Sequence, residues 1–190
     1  MREIVEARLT VNGDLRDVAI EPRETLADVL RDRLGLTGLK VSCDAQVCGA
    51  CTVLVDGLPV SGCTFLAIDA DGKRVRTVEG LADGGRLSPL QQAFIDRAAF
   101  QCGFCTPGML MAATALLDEA PNPTRDDVIH GLEGNLCRCT GYEPIVEAVL
   151  QAAAMTTGGT SVAVGGPSPA ASGADVDGRD PADEPVEAQQ

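Results

Sequence analysis

The stretch from Cys43 to Cys63 reads CDAQVCGACTVLVDGLPVSGC and decides the fold of the first half of the chain. Three of its four cysteines share one short loop, and the fourth follows an apolar segment interrupted by Asp56-Gly57. An Asp-Gly pair between apolar runs is typical of a two-residue β-hairpin turn. The stretch therefore predicts a tight cysteine loop and then a hairpin, beyond which Cys63 returns to the loop.

The four cysteines of this stretch have the spacing C-x4-C-x2-C-x11-C, which is typical of the ligands of a plant-type 2Fe-2S cluster. Gly49-Ala50 lets the backbone come close enough for N–H groups to reach the sulfurs of an anionic cluster. A zinc knuckle is the alternative, but zinc sites more often use two Cys-x2-Cys pairs. The spacing therefore favours a 2Fe-2S cluster on the first quartet, which we define as Cys43, Cys48, Cys51 and Cys63.

The remaining four cysteines form a second quartet, Cys102, Cys105, Cys137 and Cys139. The pairs Cys-x2-Cys and Cys-x-Cys lie 31 residues apart, each just before a helix start signal. The free N–H groups at a helix start favour an anionic centre. On spacing alone, a four-cysteine zinc site fits this quartet equally well. Because all eight cysteines fall into two complete sets, one in each half, we favour two clusters.

The amino-acid composition and net charge argue against several classes of function. The chain has 190 residues with 15 basic and 28 acidic side chains, which gives a net charge of −13. Such an excess argues against binding nucleic acid or an anionic membrane through a basic patch. The N-terminus lacks the features of a secretory signal, and no apolar run is long enough to cross a membrane. We therefore expect a cytoplasmic protein, in which cysteines serve as metal ligands rather than in disulfides.

Residues 1–80 show the pattern of a small mixed sheet. Apolar residues alternate over 7–11, Asn12-Gly13 offers a hairpin turn, and 16–20 can return as a second strand. Thr25 can cap a single helix, the second hairpin follows the cysteine loop, and 74–78 completes the sheet. We expect this segment to be one 2Fe-2S domain.

Residues 81–155 show a helical pattern instead. Ser88-Pro89 predicts a helix start, with the helix running to about Ala99. Thr106-Pro107 and Thr124 predict two further starts, and residues 142–154 suit a fourth helix. We expect a second, helical 2Fe-2S-binding domain. Residues 156–190 are rich in Gly, Pro and acidic side chains and are predicted to be disordered.

Three strings resemble one known family closely. They are CDAQVCGACTV at 43–53, QCGFCTPGM at 101–109 and GNLCRCTGY at 134–142. They are similar to motifs of the iron–sulfur (small) subunit of the molybdenum hydroxylases, the family of xanthine dehydrogenase, aldehyde oxidase and aerobic carbon monoxide dehydrogenase. The resemblance covers roughly residues 4–155, in the same order. It implies an α+β fold, with a plant-ferredoxin-like β-grasp domain followed by a four-helix domain.

The resemblance also implies a division of labour. All eight cysteines would be ligands, with the second quartet nearer molybdenum and the first nearer FAD. Gln101 would hydrogen-bond the pterin, and Cys139 would lie near the same cofactor. Molybdopterin cytosine dinucleotide would sit in a large partner subunit and FAD in a medium one, in a dimer of heterotrimers. The chain would relay electrons and have no catalytic site of its own.

Two positions depart from the common family pattern, because Ser42 and Gln46 stand where glycine is frequent. A side chain there restricts the loop and can alter the hydrogen bonds to the sulfurs, which leaves the potential of the first cluster open. Two other functions remain as alternatives. One is a structural zinc-binding interaction module, and the other is a free-standing ferredoxin.

Overall fold

The computed structural model describes residues 3–157, and the first half of that range forms a five-stranded mixed sheet. The strand order is β2-β1-β5-β3-β4, in which only the central β1–β5 pair is parallel. The strands are β1 (Val5–Val11), β2 (Asp14–Ile20), β3 (Thr52–Val55), β4 (Leu58–Ser61) and β5 (Arg74–Arg76).

Both predicted hairpins are confirmed. Asn12 and Gly13 join β1 to β2, and Asp56 and Gly57 join β3 to β4. All four residues have positive φ angles, between 49° and 94°. This is the backbone of the two-residue turns that match the twist of paired strands, and it explains why Asn-Gly and Asp-Gly stand there. β5 is shorter than predicted, because Val78–Leu81 turns into a 3-10 helix instead of extending the strand.

One helix covers the sheet. α1 (Leu26–Asp28) begins with the predicted capping box between Thr25 and Asp28 and continues as a π-helical turn over Val29–Arg33. Its apolar residues are fully buried in a core shared with the inner face of the strands. Burial of each large side chain contributes about 1.5–3 kcal/mol to the stability of this layer. The sheet and its helix confirm the α+β class.

Four further helices occupy residues 89–157. They are α2 (Pro89–Asp96), α3 (Thr106–Glu119), α4 (Arg125–Gly131) and α5 (Glu143–Thr157). The predicted capping boxes at Ser88 and Thr124 are both present. The helices share a second core, in which Phe94, Met109 and Ile145 are almost completely buried.

α2 ends earlier than predicted. It stops at Asp96, and Ala98 takes a positive φ of 49°. The N–H of Ala99 bonds the carbonyl of Phe94 at 2.9 Å and that of Ala98 bonds Ile95 at 3.1 Å, which is the Schellman ending of a helix. The usual sequence signal for this ending is glycine, and here alanine occupies the position.

The two halves pack directly on one another. Leu54 of β3 belongs to the helical core rather than to the sheet core, and α3 lies against β3.

The last helix runs further than the sequence predicts, because α5 includes Thr156 and Thr157, which were predicted to belong to the disordered tail. The rest of the predicted disordered segment lies outside the described residues. Within residues 3–157, no helix has the length and apolarity to cross a bilayer.

Candidate metal centres

The first quartet divides into an inner and an outer thiol pair. The inner pair, Cys51 and Cys63, is buried, and its two side chains are in contact. The outer pair, Cys43 and Cys48, is half-buried and also in side-chain contact. Cys63 comes from beyond the β3–β4 hairpin, as predicted. The structure therefore brings all four cysteines of the first quartet to one end of the sheet.

The loop around Cys43 is shaped to bind a negatively charged sulfur. Asp44 and Gln46 both have left-handed backbone, with φ of 52° and 56°. As a result, the N–H groups of Val47 and Ala45 point at Cys43 Sγ, at 3.3 Å and 3.4 Å. Backbone N–H groups that converge on one atom in this way form an anion-binding concavity, which we call the nest at Cys43. These donors, Val47 first, lower the pKa of the Cys43 thiol to about 6.

The second quartet also has an inner and an outer pair. Its outer pair, Cys102 and Cys139, is exposed, with the two Sγ atoms 3.5 Å apart. The inner pair, Cys105 and Cys137, is half-buried and in side-chain contact. Burial raises the pKa of Cys105 to about 12. The two cysteine pairs, 31 residues apart in the sequence, thus meet in one place.

Two side chains support the second quartet in ways that the sequence did not predict. The backbone N–H of Cys137 donates to the phenol oxygen of Tyr142 at 2.9 Å, and Cys137 Sγ lies 3.1 Å from Thr140 Oγ1. Tyr142 directly precedes α5, yet its side chain contacts the loop of the second quartet. It reaches back to the ligand loop because its own φ is positive, at 68°. No motif in the sequence signals that backbone angle.

A hydrogen-bonded contact joins the two quartets. The N–H of Leu136, next to Cys137, donates to the carbonyl of Cys48 at 2.9 Å. The buried Asn135 donates through Nδ2 to the Gly49 carbonyl at 2.8 Å and to Thr52 Oγ1 at 3.3 Å. We call these bonds the inter-quartet bridge. Sequence reasoning gave Asn135 no role, although it lies in the motif at 134–142, two residues before Cys137.

Glycines make the inter-quartet bridge possible. A Cβ atom on Gly49 would collide with the Gly134 carbonyl, and one on Gly108 would collide with the Gly49 carbonyl. The first residues of α3 therefore lie directly against the loop of the first quartet. A substitution at either position would push the two ligand loops apart.

The outer pair of the second quartet lies in an exposed, partly apolar surface. Phe100, Phe104 and Leu136 are 42%, 45% and 51% exposed around the exposed Cys102 and Cys139. Gln101, the predicted pterin contact, is exposed beside Cys102 in the same surface. Gln101 is close to the second quartet because it directly precedes Cys102 in the sequence. Its contact with a pterin stays a prediction.

The donor set fits two clusters of two irons each. A 2Fe-2S cluster takes four thiolates, two on each iron, and each quartet offers two thiol pairs. Within residues 3–157, no three His, Cys, Asp or Glu side chains are already arranged around a single metal ion. Beside Cys105, Thr106 Oγ1 is buried and has no hydrogen-bond partner within the described chain. A hydroxyl so placed can donate to a cluster sulfur.

Comparison with known protein families also assigns one 2Fe-2S domain to each quartet. A 2Fe-2S iron-sulfur cluster binding domain matches residues 9–80. A [2Fe-2S] binding domain matches residues 77–150. Each matched range contains one complete quartet.

Individual relatives are small subunits of larger enzymes. The nicotine 6-hydroxylase small subunit of Paenarthrobacter nicotinovorans is 58% identical over 148 residues, covering 78% of this chain and 89% of that protein. The xanthine dehydrogenase iron-sulfur-binding subunit of Escherichia coli O157:H7 is 47% identical, covering 78% and 94%. In the crystal structure of quinoline 2-oxidoreductase from Pseudomonas putida 86, one chain superposes with a TM-score of 0.77 at 47% identity, covering 83% of this chain and 99% of that one.

Proposed function

The chain belongs to the molybdenum hydroxylase family as its iron–sulfur small subunit, and from this premise we propose which residues hold its two 2Fe-2S clusters. It is an electron-transfer subunit of a multi-subunit oxidoreductase and has no catalytic site of its own. The first quartet (Cys43, Cys48, Cys51, Cys63) binds one cluster, and the second quartet (Cys102, Cys105, Cys137, Cys139) binds the other. The observation that carries this assignment is the matched division of both quartets into two thiol pairs.

A 2Fe-2S cluster supplies one-electron oxidation and reduction when it is bound. The protein's part is to hold the sulfurs, neutralise their charge and fix the separation of the two ligand sets. The nest at Cys43 supplies N–H donors to one sulfur. Burial of Cys51 and Cys63 keeps water from the inner side of the first quartet. The inter-quartet bridge connects Cys48 to Cys137 through a single hydrogen bond and the backbone of Leu136.

The two quartets face different partners in this proposal. The second quartet contacts a large subunit that carries molybdopterin cytosine dinucleotide, with Gln101 and Cys139 nearest that cofactor. Exposed Phe100, Phe104 and Leu136 support this assignment, because exposed apolar side chains next in the chain to a half-open metal site fit a protein interface. The first quartet faces a medium subunit that carries FAD, where Val47 is 64% exposed at the loop tip.

The remaining features of the assembly follow the same family pattern. Residues 1–80 and 81–155 act as the two cluster-binding domains, and three different subunits form a heterotrimer that dimerises. The complex works in the cytoplasm and hydroxylates a small substrate that the large subunit selects. A free-standing ferredoxin is the weaker candidate, because the exposed rings beside the second quartet would face water.

Composition of the purified complex tests this proposal. We expect the tagged chain to bring down two larger subunits together with molybdenum, FAD, iron and acid-labile sulfide. Zinc without sulfide would replace the proposal with a structural zinc module. Iron and sulfide in a stable chain without partner subunits would support the free-standing ferredoxin.

A further inference from the structure

Gln46 occupies a constrained position in the first-quartet loop. Its φ of 56° lies in the left-handed region, which residues with a side chain seldom adopt. It stands between Ala45 and Val47, whose N–H groups both point at Cys43 Sγ. The backbone angle of Gln46 therefore decides whether the second of those donors reaches the sulfur.

The side chain of Gln46 is tied to the other arm of the quartet. Its Oε1 accepts a hydrogen bond from Thr64 Oγ1 at 3.1 Å. Thr64 is itself anchored, because its backbone N–H donates to the Ser61 carbonyl at 3.1 Å, and its hydroxyl proton lies between Gln46 Oε1 and the same carbonyl, which is 3.3 Å from Oγ1. Thr64 directly follows the ligand Cys63. One side chain thus connects the loop that holds Cys43 to the turn that holds Cys63.

We propose that Gln46, through its bond to Thr64, is a positioning residue that sets the reduction potential of the first cluster. The inference rests on the proposed function, since it requires a cluster on the first quartet. The bond holds Gln46 in its left-handed conformation, and that conformation aims the Val47 N–H at Cys43 Sγ. Without the bond, the loop would sample the commoner conformations, in which this donor is misaligned.

The direction of the effect follows from charge. Reduction adds a negative charge to the cluster, and N–H donors to the sulfurs stabilise the more negative state. A well-aligned Val47 N–H therefore raises the potential. Loss of the Gln46–Thr64 bond should lower the potential and make the first cluster harder to reduce.

Three variants of the whole complex test this inference. Gln46→Leu removes the amide that accepts the bond but keeps a Cβ, which disfavours the left-handed backbone. Thr64→Val removes the hydroxyl and keeps Gln46, and Thr64→Ser keeps the bond as a matched control. The readout is a redox titration followed by electron paramagnetic resonance, with iron measured on each sample. In the first two variants, we expect the ratio of reduced to oxidised first cluster at fixed potential to fall by up to about tenfold, or about 59 mV for a one-electron couple.

The pattern across variants decides the outcome. Thr64→Ser should titrate like the parent protein, and a Gln46→Leu/Thr64→Val double variant should shift no further than either single variant. Unchanged potentials in both single variants, or additive shifts in the double variant, would overturn the role of Gln46 while leaving the cluster assignment intact. If the parent complex itself shows no signal from the first quartet, the proposed function fails instead.

Discussion

The two cysteine quartets share one plan but rest on different supports. Each combines an outer pair with a more buried inner pair, which suits a cluster that places two thiolates on each iron. The first quartet is built largely within one loop and closed by a hairpin. The second is assembled from two helix junctions 31 residues apart. The first centre therefore depends on local backbone geometry, whereas the second depends on how α3 and α5, which follow its two cysteine pairs, join the shared helical core.

Removal of one inner ligand from each quartet gives the largest expected effect. Cys51→Ser should abolish the paramagnetic signal of the first cluster and leave the second, and Cys105→Ser should do the reverse. Either change should stop electron delivery to the terminal acceptor, because the relay loses one of its two centres. The control is Ser42→Ala, which changes an exposed side chain beside the loop and should keep both signals. Loss of both signals in Cys51→Ser would show that the quartets are not independent.

The two quartets should also differ in thiol reactivity once iron is removed. At pH 7 the Cys43 thiol, with a pKa of about 6, is mostly deprotonated, whereas Cys105, with a pKa of about 12, is protonated. Because the thiolate is the nucleophile, iodoacetamide should label Cys43 about a hundredfold faster or more. Mass spectrometry of the iron-free chain measures this ratio. Labelling of Cys43 should slow as pH falls through 6, and equal rates at pH 7 would contradict the nest at Cys43.

Separation of the quartets should weaken the second centre more than the first. Gly108→Ala places a methyl group against the Gly49 carbonyl, so α3 must move away from the loop. We expect slower electron transfer between the clusters and loss of iron from the second quartet, measured by stopped-flow spectroscopy and iron analysis. Gly134→Ala is the matched control, because its added Cβ meets no atom of residues 3–157 within 4 Å. Equal behaviour of the two variants would contradict the close contact.

A smaller effect is expected from the polar part of the inter-quartet bridge. Asn135→Leu removes one of three donors to the Gly49 carbonyl, which keeps the backbone N–H and the hydroxyl of Thr52. The loss of this one buried hydrogen bond should lower the free energy of unfolding by about 0.5–1.5 kcal/mol. Denaturant midpoints of the parent and variant chains under the same anaerobic conditions measure the change. The exposed Asn122→Leu serves as the control and should stay within about 0.5 kcal/mol of the parent. A neutral Asn135→Leu would mean that apolar packing alone holds the two loops together.

The first quartet rests on local backbone geometry and the second on contacts between distant segments. This difference also explains which features the sequence could predict. Asn12-Gly13, Asp56-Gly57 and the capping residues are local signals, so both hairpins and the helix starts were predicted correctly. The early end of α2 was missed because Ala98 adopts the angle that glycine usually marks.

Long-range contacts had no such local signal. The first quartet could be predicted from spacing alone, because three of its four cysteines and the amides that support Cys43 lie within one loop. For the second quartet, spacing left zinc as an equal alternative, and the family motifs supported the cluster. Asn135 bonds residues more than 80 positions away, and no sequence period reveals those partners. Tyr142 bonds Cys137 only five residues away, but with a positive φ that no motif in the sequence marks.

The central claim is that this one chain carries two distinct 2Fe-2S clusters. It is tested most directly by an electron paramagnetic resonance spectrum of the dithionite-reduced native complex, with iron and sulfide measured on the same sample. We predict two different spin-half signals and about four irons per copy of the chain. A single signal with about two irons and one zinc would contradict the assignment of the second quartet, and an iron-free protein from an anaerobic preparation would contradict both.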